Sequence, residues 1–339
     1  MPSVEEYRAA IRAFAGDSSQ FCNILGAAEN SNDLLVRARA ALADVNAQGE
    51  GIAALAIGSI GRLEALEASD MDFSVLYNAE RATADTANDA MKEMRERLIA
   101  AGFEDISAKT FKDPMKVGEL LKNVGGNDDS NLSLTYRALI PTEAAWLFNK
   151  AEVTDLVEKI VKVYQSGLAT RGRFLTSLSN DLHRYYRTLC VDYRYKIEED
   201  NKGWAIRNMK LRHSRKLWHL SNLCLQCAAA DITDIDEHDG FLSAHLGEPP
   251  LLKLITSLSA TKGLDSCRTV WTLYDTFLGL IRQDSFRRAL DELCYEDREE
   301  SPEFNEIQSN AKEFDMATRR VVEHLLARHS DYLIRYGIL

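Results

Sequence analysis

A chain of 339 residues is long enough for two domains, or one large one, with an ample core. Its formal charge of −11 argues against broad, sequence-independent nucleic-acid binding, which needs lysine and arginine to neutralise phosphates. Six scattered cysteines make no disulfide scaffold and no apolar run approaches the roughly 20 residues of a membrane span, so a cytoplasmic protein with reduced thiols is expected.

The amino terminus, MPSVEEYRAAIRAFAG, carries acids and lacks the apolar core of a secretory signal. Apolar spacing and alanine content predict helices over 2–15 and 33–47. IAALAIGS (52–59) and MDFSVLYN (71–78) read as strands, followed by a helix over 80–101 that stops at Gly102. FEDISAKTF (103–111) reads as a third strand, VGGNDDSN (124–131) as a loop, and LSLTYRALIPTEAAWLF (132–148) resumes helical spacing. Beyond 150 the strand signal is almost gone, and helical stretches cover 152–198, 203–230, 250–261, 267–295 and 303–337. The expected architecture is an α+β domain at 1–150, a small mixed sheet with flanking helices, followed by an all-helical domain at 151–339.

Between the first two strands lies GSIGRLEALEASDMDF (58–73). Strand alternation puts Asp70 and Asp72 on one face and turns Met71 and Phe73 to the core. Two carboxylates facing one way repel each other unless a cation lies between them, and oxygen-only ligands suit Mg²⁺ or Mn²⁺. Gly58 lets the backbone approach a ligand closely, and Ser59 offers a hydroxyl and an amide where IGRLEA begins a helical turn. These groups suggest a nucleoside triphosphate with its β/γ-phosphates on Gly58-Ser59 and its metals on Asp70 and Asp72.

The order of these parts is an apolar strand, Gly-Ser, ten intervening residues, then Asp-apolar-Asp running into a second strand. It resembles the nucleotidyltransferase superfamily that includes DNA polymerase β. The spelling GS-x-G-R-x-E followed by SD-x-D, carried by Gly58, Ser59, Gly61, Arg62, Glu64, Ser69, Asp70 and Asp72, is most similar to one branch. That branch contains the bacterial uridylyltransferase that modifies a nitrogen-regulatory signal protein, with related adenylyltransferases. The likeness is close over 52–78 and looser to about 150, through SAKT (107–110) and the helix bearing Arg137.

The resemblance implies a metal-dependent transferase that moves a nucleoside monophosphate from ATP or UTP to an acceptor hydroxyl and releases pyrophosphate. A protein acceptor is favoured. It also implies a third carboxylate beside Asp70 and Asp72. Asp105, sharing a face with Ser107 and Lys109, is preferred to Glu104, and the three aspartates form the expected catalytic and metal-binding set. Arg62 either binds a phosphate of the nucleotide or pairs with a neighbouring acid such as Glu64 or Glu67.

In the helical half, GWAIRNMKLRHSRKLWHLSNL (203–223) concentrates Arg207, Lys210, Arg212, Arg215 and Lys216. On a regular helix Arg207, Lys210 and Ser214 share a face, with Trp218 continuing it. The resemblance, in which a helical domain closes over the nucleotide, makes Lys210 and Ser214 nucleotide-binding residues; a basic face paired with nearby acids is the alternative. Arg207-Asn208-x4-His213 also matches the spacing of HEPN ribonucleases, so RNA cleavage through Arg207 and His213 is a competing function. A degenerate transferase domain that senses a nucleotide is another. Tyr185 reads as a core aromatic, Cys224 and Cys227 as buried thiols, and DIDEHDG (234–240) as an acidic loop without EF-hand spacing.

Overall fold

The computed structural model describes residues 4–16, 20–46, 51–103, 106–107, 111–165, 175–198, 203–259 and 263–334. No helix among them is long and apolar enough to cross a membrane. The chain forms two compact units: Ala27–Leu168 with Gly247–Pro249, and Pro2–Gly26 with Ala169–Leu246 and Pro250–Leu339. The sequence suggests a single cut near 150; these units are discontinuous.

Helices α1 (Val4–Ala15) and α2 (Cys22–Leu42) come first. Then follow β1 (Ile52–Ile57), β2 (Met71–Tyr77), α3 (Ala84–Ala100), β3 (Ile106–Ser107), β4 (Met115–Lys116), α4 (Val117–Leu121), α5 (Asn131–Glu143), β5 (Ala145–Phe148) and α6 (Lys150–Gln165). The strands make a mixed sheet in the order β3-β2-β1-β5. β1 runs antiparallel to β2 from Ile52↔Tyr77 to Ile57↔Asp72, and antiparallel to β5 on its other side. The free edge of β2 takes two short parallel partners, β3 at Met71↔Ile106 and β4 at Leu76↔Met115. All six residues of β1 are buried, which is why IAALAI is apolar throughout rather than alternating.

Local chemistry sets the boundaries. Thr83 caps α3 by accepting the Thr86 amide at 3.1 Å, and Gly102 at φ +84 follows its end. α2 begins earlier than its composition suggests, because Gly26 and three asparagines lower the intrinsic helicity of CNILGAAENSN. The carboxylate of Asp275 supports that start by accepting the amides of Asn23 and Ile24, both at 2.9 Å. The segment read as helical over 132–148 splits: Ala144 is extended, and AWLF becomes β5 by pairing with β1. Of the strand expected over 103–111, the described residues show only Ile106–Ser107.

The second unit continues with α7 (Thr176–Glu198), α8 (Trp204–Lys210), a π-helical turn at Leu211–Arg215, α9 (Lys216–Ala230) and α10 (Ile235–His245). After these come α11 (Pro250–Leu258), α12 (Gly263–Arg282), α13 (Asp284–Glu292) and α14 (Pro302–Tyr332). Trp218, Trp271, Tyr274, Phe277 and Phe314 are fully buried in its core. Phe14 and Phe21 close on Trp271 at 5.1 and 5.4 Å between ring centroids, which fastens the amino-terminal segment to these helices. DIDEHDG is not a loop. Asp234 caps α10 by accepting the Glu237 amide at 3.0 Å, and its acids favour a helix start.

Candidate active site

β1 ends at Ile57, opposite Asp72, and the chain then makes one closed turn. The Arg62 amide donates to the Gly58 carbonyl at 3.0 Å and the Glu64 amide to the Ser59 carbonyl at 2.8 Å. Leu63, at φ 59, stops the turn from growing into a helix. Gly58 has φ +75, and a methyl group added to it would lie 2.6 Å from Asp72 Oδ2. Only glycine serves here, and the Asp72 carboxylate lies directly against its backbone.

From Gly51 to Leu66 every residue is buried except Ser59, which is half-buried. Among the described residues, neither the amide nor the hydroxyl of Ser59 has a hydrogen-bond partner. Asp72 is half-buried and Asp70 exposed, and they flank the buried Met71. The outer edge of this turn therefore offers an amide, a hydroxyl and two carboxylates. The two carboxylates are oxygen ligands that fit a hard divalent cation, and the amide and hydroxyl of Ser59, beside a glycine permitting close approach, are donors that fit a phosphate. Ser107 pairs with Asp72 on the far side of β2. Glu104 and Asp105 lie outside the described residues, and among those described no three His, Cys, Asp or Glu side chains are grouped to hold a metal.

The inner edge is built differently. β5 pairs with β1 through Ala56↔Ala145, so Glu143, two residues before Ala145, comes alongside Gly58. Glu143 Oε1 accepts the Gly58 amide at 3.2 Å, and Oε2 accepts Arg62 Nη1 at 2.6 Å. Arg62 Nε donates to Glu64 Oε2 at 2.8 Å. Arg62 and Glu143 are 4% and 1% exposed, so of the two readings of Arg62 the ion pair describes where it sits. A methyl group on Gly61 would come within 1.8 Å of the Glu143 carbonyl oxygen. Sequence reading missed Glu143, which stands 85 residues from Gly58. Its one signal is a lone carboxylate in the otherwise uncharged run ALIPTEAAWLF.

Residues 5–112 match the family model described as "Putative nucleotidyltransferase DUF294". This segment belongs to the nucleotidyltransferase superfamily. No curated protein matches the chain. The match takes in Gly58, Ser59, Asp70 and Asp72 of the nucleotidyltransferase segment and stops before Glu143.

The remaining expected residues lie in the helical unit. Lys210 ends α8 and is half-buried, and the Ser214 hydroxyl is bonded to the Tyr274 hydroxyl at 2.9 Å. The π-helical turn between α8 and α9 is wider than an α-turn, so the regular-helix stripe from Arg207 to Trp218 does not carry through it. Arg212 and Lys216 both bond the Asp315 carboxylate, Arg212 at 2.7 Å. Burial alone would raise the pKa of Asp315, but these two cations hold it below its ordinary value.

His213 corrects the ribonuclease reading. Its side chain is fully buried, with Nδ1 bonded to the Met209 carbonyl at 2.8 Å and Nε2 to Asn310 Oδ1 at 2.9 Å. The ring stacks on Phe277 at 4.1 Å, and loss of water pushes its pKa down to about 4. Such an imidazole is a core group with both nitrogens engaged and neither open to an RNA 2′-hydroxyl. Arg207, its expected partner, donates to the Gly203 carbonyl at 2.9 Å. Tyr185 is buried edge-on to Trp218. Cys224 and Cys227 are buried thiols whose pKa values desolvation raises, that of Cys227 to about 12.

Proposed function

We propose that this protein is a Mg²⁺- or Mn²⁺-dependent nucleotidyltransferase that moves a nucleoside monophosphate from ATP or UTP to an acceptor hydroxyl. A hydroxyl side chain of a protein is the favoured acceptor, by the likeness of GS-x-G-R-x-E…SD-x-D to the uridylyl- and adenylyltransferase branch. The observation that carries the reading is the position of Ser59. It is the one half-open residue in a buried turn, beside a glycine packed against Asp72.

In this reading the Ser59 amide and hydroxyl bind the β/γ-phosphates, while Asp70 and Asp72 hold the cation. A cation held there would neutralise charge on the phosphates and on the departing pyrophosphate. The acceptor oxygen bonds to the α-phosphorus as the bond to the bridging pyrophosphate oxygen breaks. Asp105 is proposed as the third carboxylate, taking the acceptor's proton. The catalytic gain comes from fixed charges and donors rather than from a covalent enzyme intermediate.

The test incubates the protein with each α-labelled nucleoside triphosphate and Mg²⁺ or Mn²⁺, with and without cell lysate. Label should reach a macromolecular acceptor, and Asp70→Ala and Asp72→Ala should each abolish it. Metal-dependent nucleotide binding with no pyrophosphate release from any mixture would instead make the domain a sensor.

A further inference from the structure

The motif residues Gly61, Arg62 and Glu64 face inward, away from the edge offered to phosphate. What they surround is Glu143, outside the span matched to the nucleotidyltransferase family. We propose that Glu143 is a positioning residue that sets the conformation of the phosphate-binding turn, and that Gly61, Arg62 and Glu64 form its socket. The inference rests on reading Gly58-Ser59 as the nucleotide turn.

Three contacts define the socket. The Glu143 backbone carbonyl fills the space that a side chain at Gly61 would occupy. One carboxylate oxygen takes the Arg62 guanidinium, itself aligned by Glu64. The other takes the Gly58 amide, which directs that N–H inward and leaves the next amide, that of Ser59, without an internal partner among the described residues. The β1–β5 register delivers Glu143 to this point, so the position of the turn is referred to the sheet. A turn that grips the leaving phosphates holds them in both the ground and transition states, so disturbing it weakens substrate binding more than turnover.

Glu143→Gln is the sharpest variant. A carboxylate accepts from both Gly58 and Arg62, whereas an amide has one oxygen and must turn its NH₂ group toward one of these donors. The expected result is a KM for the triphosphate raised about tenfold or more with kcat within about threefold. Glu143→Asp, too short to span both donors, should behave alike, while Glu152→Gln, remote from the socket, should match the wild type. Unchanged KM in folded Glu143→Gln and Glu143→Asp overturns the assignment, as does an equal fall in kcat with KM unmoved.

Amide hydrogen exchange in the wild type needs no variant. The Gly58 amide should be protected before nucleotide is added, and the Ser59 amide should become protected only with it; a rapidly exchanging Gly58 amide contradicts the proposal. The two readings separate cleanly. Wild-type protein that neither binds nor consumes nucleotide defeats the nucleotidyltransferase reading and this inference with it, whereas normal wild-type activity with an indifferent Glu143 defeats only the inference.

Discussion

The turn from Gly58 to Asp72 and the basic stretch from Arg207 to Lys216 look equally suited to phosphate as sequence, yet they spend their polar groups in opposite directions. At the turn, Arg62 bonds both Glu64 and Glu143 behind the backbone, while Ser59, Asp70 and Asp72 lie at the outer edge. In the basic stretch the groups that look catalytic are bonded to other groups of the same unit. Ser214 meets Tyr274, His213 meets Asn310 and Met209, and Arg212 and Lys216 share Asp315. A concentration of charge says little about a site until the partners of each group are known. A motif whose glycine answers a backbone requirement says more.

Substitutions should separate the two regions. Asp72→Asn is expected to cost the most, lowering nucleotide transfer by about 10²–10³-fold, the order seen when one preorganised electrostatic group is lost. Its urea-unfolding midpoint should stay close to wild type, because the side chain is half-buried. Gly58→Ala should lower transfer by at least about tenfold, since the methyl group must displace the Asp72 carboxylate and φ +75 strains alanine by about 1–2 kcal/mol.

His213→Ala should act on stability instead. It opens a cavity against Phe277 and Phe314 and strips Asn310 and the Met209 carbonyl of their partner, at a cost of about 3 kcal/mol by denaturant titration. Acid should expose the same residue. Below its ordinary pKa of 6.5 the unfolded chain binds a proton at His213 that the folded core refuses until about pH 4. Stability is therefore complete above that ordinary value and falls with decreasing pH through the window, by about 1.4 kcal/mol per unit. His219, pushed down to about 3 by burial and by its neighbours His183 and Arg187, adds a slope of the same sign. Unfolding midpoints that do not fall between about pH 7 and pH 5 would contradict this account. The smallest effect belongs to Ser214→Ala, which loses one hydroxyl bond worth about 1 kcal/mol and should leave the nucleotide KM within about threefold.

The placement of the residues at the outer edge of the candidate site was legible because it is set locally. Gly58, Ser59, Asp70 and Asp72 fall within one strand–turn–strand, where alternation and a glycine in positive φ decide orientation. Glu143 was not legible, because its place depends on the pairing of β5 with β1, and β5 itself read as the end of a helix. The functions read into His213 and Ser214 failed to anticipate their partners for a similar reason. Asn310 lies 97 residues from His213, and Tyr274 lies 60 residues from Ser214, so no local pattern announces either bond. The π-helical turn compounds this by breaking the 3.6-residue spacing on which the stripe argument rested.

The most direct test of the central claim is pyrophosphate release from each nucleoside triphosphate in the presence of Mg²⁺ and cell lysate, compared between wild type, Asp72→Asn and Ser214→Ala. Release should require the metal, persist in Ser214→Ala and fall by about 10²–10³-fold in Asp72→Asn. Equal release from wild type and Asp72→Asn would contradict the assignment of the Gly58–Asp72 edge as the active site.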